Sequence, residues 1–300
     1  MPSTTAILVA ALAALVLPAP GAVGAIERDW DMLWQKKAVT PGAAAAGAAG
    51  STSTVERLAA PPPTPPPITV ERLVALEERF GGFVQNVPRQ VVSAHDPRSK
   101  QAIARGGMTG GDRMARGRHN YGATYARYLA PLKDVTSVAE VGILKGSGVA
   151  LWCELFPRAQ VHGFDVNLVN IRENMAFLKS RGAFSRGHLQ LHEFDQFAPV
   201  VPTREYFAVV IDDGFHSEDT VKRTWEAFRP WLRADGVYIV EDCECAAFRS
   251  YMARAYASEY SVEYRVTNPN SQLVVITTKP GAQQELKRIR GAGSAARALR

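Results

Sequence analysis

The chain has 300 residues, 46% of them hydrophobic and 21% charged, with a formal net charge of +6. That supplies one well-filled core with appendages rather than two full-sized domains. The positive excess is peripheral: the tail from Gly281 to Arg300 carries Lys287, Arg288, Arg290, Arg297 and Arg300 against Glu285 alone. A second basic run, Arg98 to Arg118, has no interleaved aromatic ladder for stacking bases, so nucleic acid is not an expected partner.

In chain order, residues 1–25 have the layout of a signal peptide or anchor: an apolar run from Ala6 to Leu17, then Pro18 and Pro20, then small residues. Such a run falls short of the roughly 20 apolar residues that span a bilayer core. This leader implies the secretory pathway or an organelle lumen, with membrane contact only through an uncleaved anchor, and a cytoplasmic protein if the leader does not function. Residues 26–67, rich in Ala and Gly and closing on PPPTPPP, read as a disordered linker. Residues 68–134 are expected to form a helical lead-in, beginning with Val70, Leu73, Leu76 and Phe80 at helical spacing. The glycine-rich Gly106–Gly111 within it suits either a lid or a linker. Residues 135–280 form the main domain, and 281–300 a basic tail.

Within that domain, strand-like runs at 137–142, 160–165, 188–194, 206–212 and 236–242 alternate with helical segments at 147–156, 168–180, 217–232 and 246–257. Strands at 260–266 and 272–278 close it, joined through Asn268-Pro269-Asn270 with no room for a helix. The alternation predicts an α/β, doubly wound, mostly parallel seven-stranded sheet of Rossmann-like type, with a hairpin that makes one edge strand antiparallel. Ligands of such sheets sit beyond the carboxyl ends of the strands.

The acids of interest fall at those ends. Glu140-Val-Gly142 followed by Gly146-Ser147-Gly148 is a glycine-rich turn that lets a ligand approach the backbone and a helix amino terminus. Leu144 stands where a dinucleotide fingerprint needs glycine, and Glu140 would repel a pyrophosphate but suits a cationic amino group. Asp165 ends the second strand, where a carboxylate can accept ribose hydroxyls. Asp195 ends the third, placed for an adenine amino group or a turn cap. Asp212-Asp213-Gly214-Phe215-His216 and Glu241-Asp242 end adjacent strands. Asp213, Glu241 and Asp242 can converge there, and three carboxylates together call for a cation, magnesium or another hard divalent ion. The competing reading is a solvated acidic rim with Asp212 or Asp242 as a helix cap. His216, beside that candidate metal, is the candidate general base. Cys153, Cys243 and Cys245 have no zinc-site spacing; two packed thiols are the expectation for Cys243 and Cys245, with an oxidised pair as the alternative.

Together these segments, with Phe164-Asp165, Val210 to His216, Ile239 to Asp242 and the lead-in His119-Asn-Tyr121, resemble the class I, S-adenosylmethionine-dependent methyltransferases. The likeness is to the metal-dependent macrolide sugar O-methyltransferases of the mycinamicin and macrocin type, over about 106–279. The resemblance implies S-adenosyl-L-methionine held by Tyr121, Glu140, Gly142, Gly146, Ser147, Asp165, Asp195 and Asp212. It further implies magnesium on Asp213, Glu241 and Asp242, and His216 as base. The implied acceptor is a hydroxyl of a sugar, glycan or glycosylated small molecule; homo-oligomers are compatible with the pattern. A catechol-like acceptor, a non-catalytic binding protein of this fold and an NAD-dependent oxidoreductase are the rival readings.

Overall fold

A computed structural model describes residues 66–89, 91–185 and 188–288, all within the compact unit Pro63–Arg300. The leader, the linker and most of the basic tail lie outside the described residues. None of the described helices is long and apolar enough to cross a membrane.

The lead-in is mixed rather than helical throughout. Helix α1 (Val70–Arg79) starts where the Thr69 side chain accepts from the Arg72 N–H, and it buries Leu73, Leu76 and Glu77. Strand β1 (Val84–Pro88) follows, then α2 (Lys100–Arg105), β2 (Gly107–Gly110) and α3 (Gly122–Leu129). β1 and β2 form a small antiparallel sheet of their own. The glycine-rich segment is therefore largely strand. It lies so close to its neighbour that a Cβ on Gly111 would fall 1.7 Å from the Gly82 carbonyl oxygen.

The main sheet takes β3 (Ser137–Val141), β4 (Gln160–Asp165), β5 (His188–Glu193), β6 (Phe207–Asp212), β7 (Leu232–Glu241), β8 (Tyr260–Asn268) and β9 (Ser271–Thr278). Their spatial order is β5-β4-β3-β6-β7-β9-β8. The first five strands pair in parallel; β9 runs antiparallel to both β7 and β8, so the antiparallel pairing is confined to one edge. The order reverses between β4 and β6 around β3, which makes the carboxyl end of β3 the switch point.

Helices α4 (Ser147–Leu155), α5 (Val169–Ser180), α6 (Glu218–Phe228) and α7 (Ala246–Ala255) cover the sheet. Strand alternation sorts the core into two layers. Val209, Ile211, Val237 and Ile239 pack with Trp152, Tyr125 and Leu73 on one face; Val210, Tyr238 and Val240 pack with Trp225, Phe228 and Phe164 on the other. With both faces covered, every residue of β6 is buried, as its continuous apolar run requires. α6 is shorter than the periodicity predicts. Pro230, which lacks the N–H of a further α-turn, lies in a 3-10 turn at Arg229–Trp231, and β7 begins at Leu232, four residues before the apolar run at 236.

Register fixes the site. Val141 pairs with Asp212, and Asp212 with Val240, so the residues that follow all emerge at one rim. Two packed thiols are not what forms beside it: Cys243 and Cys245 are joined as a disulfide. The left-handed backbone of Cys245 (φ 47°) brings their Cα atoms to 5.0 Å, within bridging range.

Candidate active site

A cavity of about 360 Å³ opens at this rim, within the size range of small-molecule sites, roughly 300–1,000 Å³. One wall is the turn after β3. Gly142 has φ 82°, and a Cβ there would stand 2.0 Å from the Asp213 carbonyl oxygen, so glycine lets β3 and β6 close together at the rim. Ser147 and Gly148, at the start of α4, also line the cavity. Gly146 is turned the other way, against Ile171 and Leu178.

Asp165 binds the turn to the next strand. Its Oδ2 accepts the N–H groups of Ile143 (2.9 Å) and Leu144 (3.1 Å), and its Oδ1 that of Asn167 (2.9 Å). Burial outweighs these bonds and raises its pKa. Asp195, on the same wall, accepts from Ser93 Oγ at 2.7 Å and from the Phe197 N–H at 2.9 Å. Two buried polar atoms here make no aligned hydrogen bond, Glu140 Oε2, which has the Trp152 indole as a polar neighbour, and Asn167 Nδ2. Such atoms are costly unless a ligand satisfies them, and both residues face the cavity. Burial pushes the carboxyl of Glu140 up to about 7, against the opposing pull of Arg113.

The second wall carries the acids of β6 and β7. Carboxylate oxygens of Asp213 and Asp242 and a ring nitrogen of His216 lie within 4.8 Å of one another. His216 Nδ1 lies 3.2 Å from the Glu241 carbonyl oxygen, which can only accept. Nδ1 therefore carries a proton, and Nε2 lies 3.9 Å from Asp213 Oδ1. Both His216 (φ 59°) and Asp242 (φ 53°) have left-handed backbones, a cost that clusters at functional positions. Glu241 belongs to the same wall but is turned inward, accepting from the Tyr125 hydroxyl and lying 2.6 Å from Arg113 Nε. Burial raises the pKa of Asp213 and of Glu241; repulsion from Glu241 adds to the first and from Asp242 to the second, and Arg113 opposes the shift in each.

Arg113 is the cation that these acids surround. Its Nη2 is 2.8 Å from Glu140 Oε1 and 2.6 Å from Asp213 Oδ2, and its side chain is 8% exposed. Burial works against its charge, but Glu241, Glu140 and Asp213 together outweigh it and hold its pKa well above the ordinary value. In sequence Arg113 reads as one more member of a basic run, and nothing in that pattern singles it out. His119 was also not foreseen. Its Nε2 is 3.2 Å from Asp112 Oδ2 and its Nδ1 3.2 Å from Asp242 Oδ1, and the bond to Asp112 foremost raises its pKa.

Two residues expected at the cofactor lie behind the cavity wall. The Tyr121 hydroxyl donates to Asp242, next to the Gln272 carbonyl. Asp212 is buried, accepting from Gln196 Nε2 (2.7 Å) and the Tyr238 hydroxyl (3.1 Å). Gln196 Oε1 in turn accepts the Phe215 N–H at 2.7 Å, so Asp212 anchors the loop that carries Asp213 and His216.

Residues 139–243 match a family model described as a methyltransferase domain. The chain is 26% identical over 146 residues to an 8-demethyl-8-alpha-L-rhamnosyl tetracenomycin-C 2'-O-methyltransferase of Streptomyces olivaceus, covering 45% of this chain and 36% of that protein. It is 25% identical over 116 residues to a mycinamicin VI 2''-O-methyltransferase of Micromonospora griseorubida, covering 39% and 27%. The chain thus spans about a third of the length of these relatives. Among solved structures it is similar to the MycE methyltransferase from the mycinamycin biosynthetic pathway in complex with Mg and SAH, with TM-score 0.39 and 17% identity over 53% of this chain and 49% of that one. The resemblance read from the sequence is borne out by the family model and these relatives.

Proposed function

We propose that this chain, with its methyltransferase domain at 139–243, is an S-adenosylmethionine-dependent O-methyltransferase that uses a divalent metal to methylate a hydroxyl of a sugar, glycan or glycosylated small molecule. The observation that carries this reading is the meeting of Asp213, His216 and Asp242 at the rim of a cavity walled by Glu140, Gly142 and Asp165.

The residues fit both groups. Glu140 Oε2 and Asn167 Nδ2, neither in an aligned hydrogen bond, offer an acceptor and a donor toward a zwitterionic cofactor, with Ser147, Asp165 and Asp195 on the same walls. Asp213 and Asp242 would hold a hard divalent cation beside His216, whereas Glu241, expected as the third carboxylate, is turned inward to Tyr125 and Arg113. S-adenosylmethionine supplies an electrophilic methyl group, and the cation lowers the pKa of a hydroxyl it binds. His216 takes the hydroxyl proton at Nε2, since its Nδ1 proton is held by the Glu241 carbonyl. The resulting imidazolium faces the Asp213 carboxylate. Asp212, through Gln196, keeps this loop in place. β2 and the segment after β1 line the cavity.

The test is transfer of labelled methyl from S-adenosylmethionine to a panel of glycosides and phenols, with magnesium or with chelator. Label on a sugar hydroxyl that needs the metal and is lost in His216→Asn supports the reading. Transfer only to phenols moves the acceptor to the catechol class. Transfer unaffected by chelator and by Asp213→Asn refutes the metal's role.

A further inference from the structure

Strand β7 runs out into two successive acids, and helix α3 meets them with two tyrosines one turn apart. The Tyr125 hydroxyl donates to Glu241 Oε1 and the Tyr121 hydroxyl to Asp242 Oδ1. Residues four apart share one face of a helix, so this pair suits two carboxylates at a single rim. We propose that Tyr121 is a positioning residue for the divalent cation: it holds Asp242 by Oδ1, so that the carboxylate meets the cation through Oδ2, and it does not touch the cofactor. The inference rests on the function proposed above, and it gives Tyr121 a role other than the cofactor-holding one that the family resemblance implies.

Burial separates Tyr121 from the cofactor. The residue is 0% exposed and does not line the cavity, whereas Asp242 does. Its hydroxyl therefore reaches the site only through Asp242. That hydroxyl also lies 3.1 Å from the Gln272 carbonyl oxygen, which accepts the Asp242 N–H at 3.0 Å. Main chain and side chain of Asp242 are thus tied to one small group of atoms. The left-handed backbone of Asp242 (φ 53°) is a conformation that persists only where its surroundings over-determine it. Among the described residues no donor is bonded to Asp242 Oδ2, the oxygen that remains for a cation.

Tyr121 is itself held from two directions. The His119 ring stacks on its ring, with centroids 5.2 Å apart and planes 21° from parallel, and His119 Nδ1 lies 2.8 Å from Ser271 Oγ and 3.2 Å from the same Asp242 Oδ1. The Thr267 hydroxyl donates to the His119 carbonyl, and the Tyr121 N–H donates to the Arg113 carbonyl at 2.9 Å. A phenol fixed by packing and by its backbone fixes the carboxylate that it bonds. Carboxylates that ligate metals are oriented by such outer partners, and losing one costs about 10- to 100-fold in metal affinity.

The experiment is titration of the full chain with manganese(II) chloride, followed by the electron paramagnetic resonance of the free and bound ion, beside calorimetric titration of S-adenosylhomocysteine in chelator. Tyr121→Phe removes the hydroxyl and keeps the ring. It should weaken manganese binding about tenfold or more and change the spectrum of the bound ion, with the affinity for S-adenosylhomocysteine unchanged. His119→Gln, which takes away the ring stacked on Tyr121, is the second variant if the first does not fold, and it should show the same split between metal and cofactor. Manganese affinity unchanged in a folded variant overturns the inference. Weaker S-adenosylhomocysteine binding in Tyr121→Phe also overturns it and puts Tyr121 on the cofactor, as the family resemblance implies. A wild type that binds S-adenosylhomocysteine but no manganese overturns the inference and the metal's part in the proposed function, and leaves methyl transfer standing. Failure of the wild type to bind S-adenosylhomocysteine under any condition overturns the proposed function, and the inference with it.

Discussion

Replacing Gly142 with alanine tests the geometry of the rim. The residue has φ 82°, a region where a Cβ costs roughly 1–2 kcal/mol. The added methyl would also lie 2.0 Å from the Asp213 carbonyl oxygen and 2.8 Å from the Gly214 Cα, both backbone atoms that cannot rotate away. Forcing these apart adds about 1–3 kcal/mol, as overpacking does in cores. The sum, about 2–5 kcal/mol, is a large part of a typical folding stability of about 5–15 kcal/mol. For a domain of this size it lowers the melting temperature by about 4–20 °C. The assay is thermal unfolding followed by circular dichroism, with Gly117→Ala as control, because a Cβ at Gly117 meets nothing within 4 Å and should change stability by less than about 0.5 kcal/mol. If Gly142→Ala melts together with the control, the close approach of β3 and β6 is not as described.

Further predictions concern the acids and their partners. Burial pushes Asp212 up to about 7 from an ordinary 3.8, so the neutral form is favoured in the fold and the stability it confers is lost as pH rises from about 4 to 7. In urea unfolding with chelator present, Asp212→Asn should therefore gain on the wild type across that window, by up to about 4 kcal/mol; a gap independent of pH contradicts the shift. Tyr125→Phe removes the hydroxyl that donates to buried Glu241 and should cost about 1–3 kcal/mol, read as a lower urea midpoint; an unchanged midpoint means that this bond contributes nothing. His216→Asn should keep the wild-type affinity for S-adenosylhomocysteine while lowering turnover about 10²- to 10⁴-fold once an acceptor is in hand; a loss under threefold removes His216 as the base.

The sheet was legible because its signals are local. Apolar runs ending in Glu140, Asp165, Asp212 and Glu241 mark parallel strands and their carboxyl ends, and the parallel register brings those ends to one rim. Which acids face the cavity was less so, since side-chain direction depends on partners from distant segments. Asp212 turns inward to Gln196 and Tyr238, and Glu241 to Tyr125 and Arg113, none of which the strand pattern specifies. Arg113 comes from an aperiodic stretch of the lead-in and becomes recognisable only when the fold sets it among three carboxylates. The β1–β2 pair was illegible for a related reason: Gly106–Gly111 has no alternating pattern, and its pairing depends on the close approach of Gly111 to Gly82.

The most direct test of the account is calorimetric titration of S-adenosylmethionine, with magnesium present, into the wild type, Glu140→Ala and Asp213→Ala. Micromolar binding that Glu140→Ala abolishes and Asp213→Ala retains is the predicted result, assigning Glu140 to the cofactor and Asp213 to the metal and acceptor side. No binding to the wild type, or equal binding to Glu140→Ala, would contradict it.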